Sequence, residues 1–174
     1  MDIDFLLIQK MKRGDESAFD AFIRKYYEKI LNYCVHHCPD TSYAEDLAQE
    51  TFVHFFTNLS NYRYMGKTLN YLYTIAGNLC RDYFKKAKDC SLDEQDLETQ
   101  LDIKESETDE ILEKLAVNTA LNHLPDDLRE VVILYYFQDL KLAEIADVLG
   151  IGLPLVKYRM KQAKVKLEKL LKED

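Results

Sequence analysis

The chain has 174 residues, a formal net charge of -8, 47% hydrophobic and 31% charged residues, proportions of a soluble globular protein with one ordinary domain or two small ones. Its longest early apolar run, Phe5-Leu6-Leu7-Ile8, is too short for a signal peptide or a membrane span. The expectation is a cytoplasmic protein, without membrane insertion, whose four cysteines build no disulfide framework.

Five Gly, three Pro and no alternating run of Val, Ile and Thr argue for an all-α fold. A first helix opens near the N-terminus and breaks at Gly14-Asp15. Asp15 can cap a second helix from Ser17 to about Cys38. After a turn at Pro39-Asp40-Thr41, a third helix runs from Ser42 to about Leu59. Its apolar stripe is Ala48, Phe52, Phe55, Phe56 and Leu59. A separate stripe, Asp46, Gln49, Glu50 and Val53, has the spacing i, i+3, i+4, i+7. Acids early in a helix are often only dipole partners. Here a lone apolar residue lies among them, as on a docking surface for a basic partner helix.

A loop follows, carrying Tyr62, Arg63, Tyr64 and Lys67, and the helical period returns from Leu69. Leu72, Ala76, Leu79 and Tyr83 face inward; Thr74, Asn78, Arg81 and Lys85 share the opposite face. Aromatic rings stack on unpaired bases while cations hold the backbone beside them, which suits single-stranded or melting nucleic acid. The competing reading makes these tyrosines ordinary core and rim residues. In Cys34-Val35-His36-His37-Cys38 the cysteines are i, i+4 neighbours, but both histidines point away from them and no second ligand cluster exists. No metal is expected there. Nor is there a Ser/His/Asp set, a P-loop or a paired-carboxylate pocket, so no enzymatic activity and no cofactor are expected.

The charge is unevenly placed. Residues 1–90 hold 12 Lys+Arg and 12 Asp+Glu; residues 91–113 hold 1 and 10; residues 114–174 hold 10 and 9. The acidic stretch has too little apolar surface to offset its ordering entropy, and reads as a linker between two small domains. A solvated acidic surface helix is the alternative. Residues 1–90 and 114–174 are then the domains.

In the second domain, Leu115, Val117, Leu121 and Leu124 have helical spacing. Pro125 with Asp126-Asp127 marks a new start, because proline suits a first turn and acids suit its positive end. LREVVILYYF is a strongly apolar helix, ended by a turn at Asp139-Leu140. Leu142–Leu149 is a third helix, with Ile145, Val148 and Leu149 inward and Glu144 and Asp147 outward. Gly150 makes the turn, and Pro154 pre-sets the first turn of a last helix. On that helix Val156, Met160, Ala163, Leu167 and Leu170 form the core face, while Tyr158, Lys161, Gln162, Lys169 and Lys172 lie opposite. Val165 falls on the outer face as an unexplained apolar residue. Lys157 to Lys172 hold seven Lys+Arg against one Glu. Two helices hinged at a glycine, the second basic and outward-facing, are the build of a helix-turn-helix DNA reader.

Together these stretches resemble the sigma-70 family of bacterial RNA polymerase sigma factors, in its extracytoplasmic-function (ECF) group. The residues that carry the likeness are Gly14-Asp15 with Ala18-Phe19, Ala44-Glu45-Asp46-Leu47 with Gln49-Glu50 and Phe52, and Leu72-Tyr73 with Ile75-Ala76, Asn78 and Asp82. In the second half they are Leu124-Pro125, Arg129-Glu130, Glu144-Ile145-Ala146, Leu149-Gly150-Ile151, Val156-Lys157 with Arg159, and Ala163. The resemblance implies a region-2-like bundle and a region-4-like helix-turn-helix domain. Asp46, Gln49, Glu50 and Val53 would dock on the clamp helices of the polymerase's largest subunit, and the polymerase flap would be a further contact. Tyr62, Arg63, Tyr64 and Lys67 would lie where a base of the minus-ten element is captured, and Thr74, Asn78, Arg81 and Lys85 where that element is read. Lys157, Tyr158, Arg159, Lys161 and Gln162 would read the minus-thirty-five element. The linker would thread the RNA path of the polymerase, and an anti-sigma factor would be a partner.

Four positions depart from the family pattern: Tyr71 replaces a usual tryptophan, Leu155 a threonine, Gln162 an arginine and Lys141 a capping Ser or Thr. The last predicts a weaker helix start; Leu155 and Gln162 bear on the upstream promoter sequence. Two other functions stay in view: a stand-alone helix-turn-helix regulator, and a sigma-like interaction protein that does not initiate.

Overall fold

A computed structural model describes residues 2–38, 40–90 and 116–172. They are helical throughout their regular structure, with no strand among them. The chain divides into two compact units, Met1–Gln95 and Asp96–Asp174. The stretch read as a linker, and Leu115, lie outside the described residues.

The first unit holds α1 (Ile3–Lys12), α2 (Glu16–His37), α3 (Thr41–Thr57) and α4 (Thr68–Cys90). Three aspartates start the first three helices by the same chemistry. The side chains of Asp2, Asp15 and Asp40 accept from the N–H of Asp4, Ser17 and Ser42, each satisfying a donor that the first turn leaves unpaired. Gly14, at φ +84°, makes the tight reversal from α1 to α2. The core is aromatic. Phe22 of α2 stacks on Phe55 of α3 with centroids 4.9 Å apart, and meets Phe52, Phe56 and Tyr26 edge-on. From α4, Leu72, Tyr73, Ala76 and Cys80 close the core. The inward face of α4 is therefore turned slightly from the expected one: Leu79 and Tyr83 sit at its margin, and Tyr83 packs on Tyr43 at 5.0 Å.

Among the described residues of this unit, Asp4 is a buried acid. Asp4 accepts from Lys25 Nζ at 2.6 Å and from the Tyr26 hydroxyl. Pairing offsets the cost of removing a carboxylate from water. Burial and the Asp4 carboxylate together push the Tyr26 hydroxyl well above its ordinary range.

In the second unit α5 is described over residues 116–122. It is followed by α6 (Asp126–Val132), a π-helical turn (Ile133–Phe137), α7 (Leu142–Leu149) and α8 (Leu153–Lys172). Leu121, Leu124, Leu128, Val132 and Ala163 form a core cluster, with Phe137 and Leu167 packed on it. Val117, expected to point inward, is exposed, and Ala120 takes the buried place. Pro125 stands just before α6 rather than in its first turn; its carbonyl accepts from Leu128 and Arg129. The apolar helix expected through Phe137 changes pitch at Ile133, where the N–H of Gln138 reaches back to the Ile133 carbonyl at 3.2 Å. Asp139 then takes a left-handed conformation, φ +56°, which aspartate tolerates better than most residues.

Candidate polymerase and nucleic-acid interfaces

The α3 stripe is a consequence of the aromatic core on its other side. With Ala48, Thr51, Phe52 and Phe55 buried, Asp46, Gln49, Glu50 and Val53 are left in solvent. Val53 is 60% exposed, and no packing within the unit explains an apolar residue there. Glu50 lies 3.6 Å from His54 one turn on, both well exposed. The face presents carboxylates around an apolar spot, as the sequence predicts.

The loop between α3 and α4 is more ordered than its sequence shows. Tyr62 is half-buried between Phe55 and Tyr71, at centroid distances of 5.1 and 5.0 Å, and burial pushes its hydroxyl up. Tyr64 turns the other way. Its ring packs on Phe5 at 5.8 Å and its hydroxyl donates to the Asp2 carboxylate. This bond is the main reason that Asp2 is held below the usual carboxylate range and that Tyr64 is pushed up to about 12. Both tyrosines thus serve the rim as well as the loop. The side chains left outward are Arg63, Met65 and Lys67, with Met65 87% exposed. Gly66, φ +84°, turns the chain into α4. The sequence reading missed Met65; an apolar residue beside a glycine, between two aromatic anchors and a cation, was the available signal.

On α4, Asn78 and Lys85 are exposed and Thr74 and Arg81 half-exposed. Arg81 donates to the Asn78 side chain, and Thr74 to the Asn70 carbonyl at 3.2 Å. The expected polar face exists, and its Asn/Arg pair is already oriented within one turn.

The glycine hinge is as predicted. Gly150 adopts φ +66°, and Ile151 N–H returns to the Ala146 carbonyl, satisfying the end of α7. Lys141 contributes no side-chain cap. The Glu144 carboxylate instead accepts the Lys141 N–H at 3.1 Å, so α7 keeps half of a capping box. On α8, Val156, Met160 and Ala163 are buried. Lys157, Tyr158 and Lys161 are exposed, Tyr158 to 60%, and Gln162 is half-exposed. Arg159 differs from its neighbours: its Nε lies 3.8 Å from the Asp127 carboxylate at the start of α6. The second acid of that turn, Asp126, accepts from the buried Arg129. Tyr135 and Tyr136 of the π-helical turn are exposed and pack edge to face at 4.9 Å. Among the described residues no group of His, Cys, Asp or Glu could hold a metal, and no helix is long and apolar enough to cross a membrane.

The family described as Sigma-70 region 2 matches residues 22–89, and that described as Sigma-70, region 4 matches residues 114–167. The ECF RNA polymerase sigma factor SigW of Bacillus subtilis (strain 168) is 32% identical over 178 residues, covering 95% of both chains. The RNA polymerase sigma-H factor of Pseudomonas aeruginosa is 29% identical, covering 97% of this chain and 93% of that one. Two solved structures share the fold. CnrH, in complex with the cytosolic domain of CnrY, has a TM-score of 0.75 and 23% identity over 99% of each chain. The sigma factor RpoE, in complex with the anti-sigma factor NepR from Bartonella quintana, has a TM-score of 0.68 and 20% identity over 90% of this chain and 98% of that one.

Proposed function

This chain belongs to the sigma-70 family, in its ECF group, and on that premise we propose how it divides the work of a transcription initiation factor among its surfaces. The face of Asp46, Gln49, Glu50 and Val53 docks on core RNA polymerase. Arg63, Lys67 and the loop tyrosines Tyr62 and Tyr64 meet the melting minus-ten strand. Thr74, Asn78, Arg81 and Lys85 read beside them. Lys157, Tyr158, Lys161 and Gln162 of α8 enter the major groove at the minus-thirty-five element, with Arg159 joining once it leaves Asp127. The role is one of binding and strand separation in the cytoplasm, with nucleotide addition left to the polymerase. An anti-sigma factor, such as RpoE of Bartonella quintana binds, is a proposed regulator.

The observation that carries this reading is that the α3, α4 and α8 faces lie outside closed cores, and that the loop turns Arg63, Met65 and Lys67 outward around its half-buried tyrosines. Phosphate contacts supply affinity, and side chains near the start of a recognition helix supply register and sequence. The acidic 91–113 stretch, proposed as the connector between domains 1–90 and 114–174, fits a factor that binds promoters only as part of a larger enzyme. Transcription of genomic fragments by core polymerase with and without the protein, followed by mapping of RNA 5′ ends, tests it. New start sites sharing two upstream elements are the expected result. A stand-alone regulator would instead protect DNA without polymerase, and a non-initiating relative would displace other sigma factors and yield no new starts.

A further inference from the structure

We propose that Lys12 and Asp2, at the two ends of α1, are positioning residues that hold the 62–67 loop in its base-accepting shape. The inference rests on the reading of that loop as the minus-ten strand contact. Lys12 Nζ donates to the main-chain carbonyl of Tyr62 at 2.6 Å. The Asp2 carboxylate accepts from the Tyr64 hydroxyl, and Phe5, between them on α1, packs on the Tyr64 ring. Asp2 and Lys12 are ten residues apart, about 15 Å along a helix. Tyr62 and Tyr64 are two residues apart, at most about 7 Å of extended chain; the long Lys12 and Tyr64 side chains span the difference. The first half of the loop is therefore laid along α1 and tied to both ends of that helix.

The other side of the loop is tied as well, because the Tyr62 ring lies against Phe55 and Tyr71. With residues 62 and 64 anchored in opposite directions, Arg63 and Met65 have little choice but to project outward, where they are found. A short loop that must receive an unstacked base otherwise loses binding energy to its own ordering. Here the ordering is done before DNA arrives. Lys12 and Asp2 belong to none of the faces assigned to polymerase or DNA, so their effect is exerted through Tyr62 and Tyr64. Lys12 donates to a main-chain atom, so the tie does not depend on which side chain the loop carries at that point.

The test uses holoenzyme assembled with the full chain and a single-stranded oligonucleotide bearing the non-template minus-ten segment of a promoter mapped as above. An abasic site is moved along the segment one nucleotide at a time. With the unaltered protein, affinity falls sharply at one position, where the loop holds a base. Lys12→Met keeps the unbranched stem, one atom shorter, and removes the donor. It should bind the intact strand about 10-fold less tightly, the low end of the scale for one charge-assisted hydrogen bond, and lose most of its sensitivity at that one position. Lys12→Arg, which keeps a donor, should restore both. Core polymerase affinity should be the same for all three proteins. Abasic sensitivity in Lys12→Met equal to that of the unaltered protein would overturn the proposal while leaving the loop's assignment intact. An unaltered protein insensitive at every position would overturn the assignment and the proposal together.

Discussion

Tyr64 and Asp2 titrate against one another, and the sign of each shift fixes where their bond contributes to stability. Tyr64 has a folded value pushed from 10.0 up to about 12. Its contribution is whole below pH 10 and lost as pH climbs toward 12. Asp2 is held below its ordinary 3.8, so its contribution is whole above that value and lost as pH falls through the lowered one. Melting temperature followed from pH 8 to 12 should therefore fall less steeply for Tyr64→Phe than for the unaltered protein. Some alkaline loss will persist in the variant, because Tyr26 is also raised, by its burial and by Asp4. Neither tie was legible in the sequence. A loop has no period, so nothing in the order of residues tells a tyrosine that stacks on a base from one that anchors to a distant helix. Asn78 and Lys161 were legible, because each lies opposite a strong apolar stripe whose burial forces it outward. Val117 misled for the complementary reason: in so short a segment one valine does not fix a face, and Ala120 is buried instead.

At the scale of the element, helix starts were the easiest features to read. Asp15 caps α2 through the side chain expected to do so, and Asp40, read only as part of a turn, caps α3 in the same way. The π-helical turn was not readable, since no residue in Ile133–Phe137 requires the wider pitch. The hinge between α7 and α8 was, because a φ of +66° at Gly150 is a conformation only glycine takes without cost. A Cβ built at Gly150 meets nothing within 4 Å. Gly150→Ala should thus lose about 1 kcal/mol from backbone strain alone, measured by urea unfolding, with α8 keeping its face. The α3 face makes a different prediction. Asp46→Lys and Glu50→Lys reverse charge at exposed positions, so the melting temperature should change little, surface substitutions costing within about 0.5 kcal/mol. Affinity for core polymerase should fall about tenfold or more if a basic helix docks there. A pull-down or fluorescence titration with core enzyme reads this directly, and unchanged binding would remove α3 from the interface.

For the molecule as a whole, charge placement was plain in the sequence and its consequence is energetic. The acidity is concentrated in residues 91–113, while the segments either side are close to neutral. Binding to DNA draws its affinity from counterion release, about 0.9 ions per phosphate contact. A chain carrying nine net negative charges in residues 91–113, between the two parts proposed to meet DNA, gains little from this on its own. The free protein should show negligible binding to a promoter duplex at physiological salt, by anisotropy with labelled DNA. Neutralising the acids of 91–113 to Asn and Gln should raise its non-specific binding and steepen the salt dependence. What the sequence withheld at this scale was the coupling of the first helix to a loop 50 to 62 residues later. That coupling has a practical side. Asp2 is both the cap of α1 and the acceptor of the Tyr64 hydroxyl, so a purification tag or fluorescent fusion joined beside it crowds the carboxylate that Tyr64 grips. Preparations labelled beside Asp2 should open promoters less well than those labelled away from it, a difference easily mistaken for a weak factor.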